Sequence, residues 1–88
     1  MKQPTFTNQF QKDIKLMEKR EKDLTKIKAI MFDIICENPL PAKNNDHPLT
    51  GNYKWHRECH VEPDWLLIYM FKDDEIHFVR NGTHSDLF

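Results

Sequence analysis

Five histidines stand in a chain of 88 residues: His47, His56, His60, His77 and His84. Imidazole has an ordinary pKa of about 6.5, so it both takes and gives a proton near neutrality. Carboxylates lie close to three of them. His47 follows Asp46, Glu58 and His60 share one face of an alternating segment, and Asp64 comes just after Pro63. His84 follows Gly82-Thr83 near the end of the chain. If folding gathers His47, Glu58, His60, Asp64 and His84, the set has the parts for metal-free phosphodiester cleavage. One group removes the ribose 2′-OH proton, another protonates the leaving 5′-oxygen, and a cation stabilises the charge on phosphorus. Carboxylates orient or retune the imidazoles. The plainer alternative is a scatter of surface histidines, with His56 a partly exposed strand residue and His77 structural.

Other chemistries fit less well. His56-Arg57-Glu58-Cys59-His60 resembles the H-E-x-x-H of zinc proteases, but Glu stands one place too late and the segment reads as strand. Cys59 and His60 have no paired C-x-x-C or helical H-x-x-x-H partner, and alternation puts them on opposite faces. Cys59 therefore reads as a small core residue. Gly51 and Gly82 are isolated, so there is no glycine-rich phosphate cradle. No cofactor is expected.

The elements that must position these groups are legible in part. Asn8 with Gln11 reads as a capping box, and Phe10, Ile14 and Met17 follow at helical spacing, predicting a helix over 9–21. Asp23 can cap a second helix, whose apolar face runs from Leu24 to Ile35 and which Asn38-Pro39-Leu40-Pro41 stops. Residues 39–52 read as loop. Strands are predicted over Tyr53–His60, Asp64–Phe71 and Glu75–Asn81, with an edge strand around Lys2–Phe6. The short connections Val61-Glu62-Pro63 and Lys72-Asp73-Asp74 favour an antiparallel meander. The expected fold is α+β, in the order β-α-α-β-β-β. Two N-terminal helices pack on one face of a small antiparallel sheet, leaving the other face for chemistry.

The length allows one domain, residues 1–88, with one modest core. Net charge is −1, which excludes a generic basic nucleic-acid coat. That charge is uneven. Residues 1–30 hold eight basic and four acidic side chains, and residues 61–88 hold two and six. The lysines of the first third are either a solvated helix face or a contact for an acidic partner. The run Trp65 to Phe71 is too short to span a membrane, residues 1–13 carry no apolar leader segment, and two separated cysteines form no disulfide framework. A reducing, cytoplasmic setting is the expectation.

Three segments carry a resemblance. Asp46-His47-Pro48-Leu49-Thr50-Gly51, Arg57-Glu58-Cys59-His60-Val61-Glu62-Pro63-Asp64-Trp65 and Arg80-Asn81-Gly82-Thr83-His84-Ser85-Asp86-Leu87-Phe88 resemble, in order and spacing, the motifs of YafQ-type toxins of the RelE superfamily. The resemblance spans essentially the whole chain. It implies a toxin of a type II toxin–antitoxin system, an mRNA interferase that cuts messenger RNA in the ribosomal decoding site without a metal. It implies a cognate antitoxin as partner, with operator DNA contacted only through that antitoxin. Functional positions carried over by resemblance are His47, Glu58, His60, Asp64, Trp65, His84 and Phe88. His60 and His84 are the favoured proton-transfer pair, in either order, and His47 and Asp64 orient them or the ribose. Trp65 and Phe88 are candidates for stacking on bases, with sheet core as the alternative for Trp65. Arg80 is a candidate phosphate stabiliser, or else half of an ion pair, and Lys54 and Arg57 are weaker candidates for RNA contact. Glu58 departs from the family's best-known member, which has Asp; Glu keeps the charge and reaches one methylene further. A toxin-like protein without activity, binding an antitoxin as a regulatory module, is the alternative from a different class.

Overall fold

The computed structural model describes residues 1–88. The chain runs β1 (Gln3–Phe6), α1 (Asn8–Lys19), α2 (Leu24–Ile35), β2 (His47–Pro48), β3 (Arg57–Glu62), β4 (Trp65–Lys72), β5 (Glu75–Gly82) and α3 (His84–Leu87). The five strands form one sheet in the order β1-β5-β4-β3-β2. The pairs β2–β3, β3–β4 and β4–β5 are antiparallel, and β1 lies parallel to β5. The expected α+β architecture is therefore present, with one parallel pair where an all-antiparallel sheet was expected.

Hydrophobic burial explains the layering. Phe10 and Met17 of α1 and Ile27, Ile30 and Ile34 of α2 form one side of the main core. Cys59, Trp65, Leu67, Tyr69, Ile76 and Phe78 of the sheet form the other. Each large side chain removed from water contributes about 1.5–3 kcal/mol. On β4 the intervening residues Leu66 and Ile68 face the opposite way and pack with Leu87 of α3. The second face is thus partly covered, where an open face was expected.

The helix ends correct the sequence reading. Thr7, not Asn8, caps α1: its Oγ1 accepts from Phe10 N at 2.9 Å and donates to Val79 O at 2.7 Å. One hydroxyl so caps the helix and ties it to β5. The helix stops at Lys19, shortly before Glu21 turns left-handed at φ 62°. Asp23 caps α2 as expected, accepting from Thr25 N at 3.0 Å. That helix ends at Ile35, before the prolines, with Glu37 left-handed at φ 60°.

The predicted loop 39–52 contains a 3-10 turn at Ala42–Asn44, the short strand β2, and the start of a second 3-10 turn at Gly51–Tyr53. That second turn displaces the predicted strand start. Tyr53 and Trp55 are not on a strand, and β3 begins at Arg57 and runs on to Glu62. A bulge between Ile68 and Tyr69 of β4 leaves Val79 of β5 unpaired. It allows Phe78 and Asn81, three residues apart, both to face the helices, which strict alternation forbids.

Candidate active site

Period-two alternation on β3 sends Cys59 into the helix-side core and Glu58 and His60 to the other face. Burial pushes the Cys59 thiol up to about 12, so it is inert. His47 on β2 stands in register with Glu58. The Glu58 side chain is only 7% exposed. Its Oε1 lies between two imidazoles, 3.6 Å from His47 Nε2 and 3.7 Å from His60 Nε2. The His47 and His60 ring centroids are 6.4 Å apart, and His60 and His84 are 6.0 Å apart, edge to face. Three imidazoles therefore stand in a row with His60 in the middle.

Hydrogen bonds fix two of the three tautomers. His47 Nδ1 is 2.7 Å from Asn45 O. A carbonyl only accepts, so Nδ1 carries the proton and Nε2 faces the site. His84 Nδ1 is 2.6 Å from Asp64 Oδ1, which also accepts the His84 backbone N–H at 2.9 Å. These two donors hold the Asp64 carboxyl below the usual carboxylate range. His84 Nε2 is left as the atom open to a substrate. Asn44 Nδ2 donates to His60 O at 2.7 Å and pins β3 to the 3-10 turn.

The C-terminal turn is built to carry His84. Thr83 caps α3, its side chain accepting from Asp86 N while Asp86 accepts from Thr83 N at 2.9 Å. Arg20 of the α1–α2 connection reaches Asp86 with Nη1 at 2.8 Å and Nη2 at 3.2 Å. Arg20, with help from Thr83, pulls the Asp86 carboxyl down to about 2. Gly82 sits at φ 156°, and a Cβ there would meet Asp86 Cβ and Oδ2 at 3.0 Å. Leu87 buries against Leu66 and Ile68, and Phe88, 65% exposed, meets Tyr53 edge-on at 5.9 Å.

His47, Glu58, His60, Asp64 and His84 are thus brought together, and Phe88 follows α3 with its exposed ring against Tyr53. The basic candidates differ. Arg80 donates to Asp13 through Nε at 2.8 Å and Nη2 at 3.2 Å, which raises its pKa and fixes its plane. Arg57 shares the Cys59 side of β3, away from His60, and spends its charge on Asp46 at 3.3 Å. Lys54 lies over the Trp55 ring at 5.0 Å, outside the imidazole row. Trp65 is a correction: it is fully buried on the helix side, with Nε1 donating to Asn81 Oδ1 at 3.2 Å, and cannot stack on a base. His77 pairs with Glu75 at 3.0 Å and His56 lies against Lys54 O at 3.1 Å, and neither joins the row.

Sequence reasoning missed several positioning residues. Asp13, Arg20, Asn44, Asn81 and Tyr53 act across long sequence separations, which no local pattern reports. The α3 turn did have a signal, because Thr83-His84-Ser85-Asp86 is itself a capping sequence. No three His, Cys, Asp or Glu side chains converge as a metal cage.

A row of imidazoles and carboxylates on one end of a small helix-backed sheet defines a compact α+β protein with a candidate acid–base site. The family model for the bacterial toxin of type II toxin–antitoxin systems, YafQ, matches residues 2–88. The mRNA interferase toxin YafQ of Escherichia coli strain K12 is 49% identical over 84 residues, covering 94% of this chain and 91% of that protein. The crystal structure of the E. coli DinJ–YafQ complex matches with a TM-score of 0.93 and 46% identity, covering 100% of this chain and 99% of that one. A metal-bound toxin from Helicobacter pylori matches with a TM-score of 0.94 and 39% identity, over 100% of both chains. The chain belongs to the YafQ family of type II toxin–antitoxin toxins.

Proposed function

We propose that this protein is a ribosome-dependent endoribonuclease that cleaves messenger RNA, restrained by a cognate antitoxin. The observation that carries the reading is His84, whose Nδ1 is occupied by Asp64 at 2.6 Å and whose Nε2 is open beside His60. One imidazole of the pair takes the 2′-OH proton as the 2′-oxygen attacks phosphorus. The other gives its proton to the 5′-oxygen as the P–O5′ bond breaks. The products are a 2′,3′-cyclic phosphate and a 5′-hydroxyl. His47 and Glu58 orient His60, Arg80 meets the phosphate, and Phe88 stacks on a base. Both proton transfers are assigned to the chain's own imidazoles, and no step is routed through an ion.

Charge supports the ribosome-dependent reading. A free-standing ribonuclease must grip the phosphate backbone with its own basic groove. This chain carries −1 overall, and the segment 61–88 that supplies Asp64, His84 and Phe88 holds six acidic and two basic residues. In the first third of the chain the exposed lysines without an ion pair are Lys12, Lys15 and Lys19 on α1 and Lys28 on α2. Lys22 and Lys26 are not available, because both bind Glu62, at 3.0 and 2.8 Å. The antitoxin partner is supported by the DinJ–YafQ complex of the E. coli relative, and contact with operator DNA through that antitoxin is carried over from the family resemblance. No helix is long and apolar enough to cross a membrane. Mapping messenger ends after brief induction tests the reading: new 5′-hydroxyl ends within translated frames are expected, and an unchanged end map would contradict it.

A further inference from the structure

Tyr53 reaches the sheet from a loop that folds back over it. Gly51, left-handed at φ 67°, opens the 3-10 turn Gly51–Tyr53, and His56 N donates to Tyr53 O at 2.9 Å to close the next turn. Leu49 N donates to His56 O at 2.9 Å, which pins the two ends of this loop together. The fold-back lays the Tyr53 ring on Leu66, Ile68 and Leu87.

Strand register decides which face that is. Leu66 stands opposite His60 and Ile68 opposite Glu58, and directly opposed residues share a face. On its other side Ile68 stands opposite Arg80. Tyr53 therefore covers β4 on the imidazole face, between the strand that carries Glu58 and His60 and the strand that carries Arg80. Asp13 first, and the Tyr53 hydroxyl after it, raise the Arg80 pKa, in keeping with a hydroxyl that lies near the guanidinium.

Phe88 needs an anchor if it is to stack on anything. It follows a helix of only four residues, and its side chain is 65% exposed. Phe88 N donates to His84 O at 2.9 Å, which ties the main chain and leaves the ring to turn. The aromatic contact of that ring is Tyr53, with centroids 5.9 Å apart and planes at 77°, the favoured edge-to-face arrangement. Tyr53 is itself braced by His56, edge-on at 5.5 Å and 80°. An edge-on contact fixes the Phe88 plane without stacking over it, so an aromatic face stays open to a base.

We infer that Tyr53 is a positioning residue whose ring seats Phe88, so that a messenger base meets a stacking surface already held at one angle. This rests on the reading that Phe88 stacks on a base of the cleaved strand. A preformed surface spares the ordering cost at each encounter and raises the share of bound complexes in a reactive geometry.

Ring order and cleavage are both read on the full-length toxin, below each variant's melting temperature. The Phe88 ζ carbon lies on the ring axis, so its NMR relaxation is blind to ring flips. That carbon should be rigid in the parent and in Tyr53→Phe. Tyr53→Leu keeps apolar cover over Leu66 and Leu87 and should let the order parameter fall below about 0.6. On programmed ribosomes, Tyr53→Leu and Phe88→Ala should each slow single-turnover cleavage about tenfold with ribosome affinity unchanged. Tyr53→Phe should recover most of the rate. The Tyr53→Leu, Phe88→Ala double variant should be no slower than the slower single one, because the two rings act as a unit. Parent-like Phe88 order in Tyr53→Leu would overturn the inference. So would multiplied losses in the double variant, or a Tyr53→Phe as slow as Tyr53→Leu, which would give the effect to the hydroxyl. A Phe88 ring rigid in the parent and loosened in Tyr53→Leu, in a toxin that leaves messenger intact, would remove the nuclease reading and keep the seat. A parent that cuts messenger with a mobile Phe88 ring would remove the seat alone.

Discussion

Asp64 Oδ1 accepts two hydrogen bonds from His84, one from the backbone N–H and one from Nδ1. A single carboxylate oxygen therefore sets the start of α3, the orientation of the ring and its tautomer. Asp64→Asn keeps the size and removes the charge, and its amide N–H can turn toward Nδ1 and move the ring proton to Nε2. Cleavage should slow by about 100-fold or more with ribosome affinity unchanged. Adding Asp64→Asn to His84→Ala should cost little beyond His84→Ala alone, because the two act as one unit. Additive losses, measured as single-turnover rates on programmed ribosomes, would separate them.

Trp65 should behave as a core residue. Trp65→Ala removes a fully buried indole and strands the Asn81 amide that it bonds. The expected cost is about 3–5 kcal/mol, a large part of the total of a small domain. Urea denaturation should therefore show that lost toxicity in this variant follows unfolding. His60→Ala, on a partly exposed strand face, and His84→Ala, at the start of α3, should lose activity while stability changes by no more than about 1 kcal/mol.

The C-terminal turn should loosen in acid before the core does. Asp64 and Asp86 both have folded pKa values below their ordinary ones, Asp86 at about 2. A depressed carboxylate stabilises the fold above its unfolded pKa, and that stability is lost as pH falls through the folded value. From about pH 4 toward pH 2 the Asp64–His84 and Arg20–Asp86 pairs should open. The NMR signals of residues 83–88 should shift ahead of those of Leu67 and Phe78. Arg20→Ala should move that local transition to higher pH. A turn that melts only together with the sheet would contradict the assignment.

The lysines of α1 should set ribosome affinity. Charge reversal of Lys12, Lys15 and Lys19 should weaken ribosome binding and flatten its dependence on salt, by up to about one unit of log–log slope for each phosphate no longer neutralised. Reversing Lys22 and Lys26 is a different experiment, because it breaks their bonds to Glu62 and should lower the melting temperature. Unchanged binding in the α1 variant would return those lysines to an ordinary solvated face.

Much of this was legible in the residue pattern. Periodicity placed α2 and its Asp23 cap, and the alternation around Cys59 put Glu58 and His60 together on the chemical face. The proline and glycine punctuation of residues 39–52 hid β2, because two residues paired to Glu58 and Arg57 have no periodicity to show. Tyr53–His60 looked like a strand because its alternation is real, but the left-handed Trp55 breaks it. Trp65 fits both a stacking and a core role by residue type, and only the side of β4 it occupies decides. The Asp13–Arg80 and Arg20–Asp86 pairs join residues more than sixty positions apart, beyond the reach of any local signal.

The most direct test is cleavage of one defined messenger by purified toxin, with and without programmed ribosomes, and with end analysis of the fragments. The expected result is rapid cutting on ribosomes, slow cutting of naked RNA, fragments ending in 2′,3′-cyclic phosphate and 5′-hydroxyl, and none of these with His84→Ala. Equal rates on naked RNA would contradict ribosome dependence, and parent-like cleavage by His84→Ala would contradict the catalytic assignment itself.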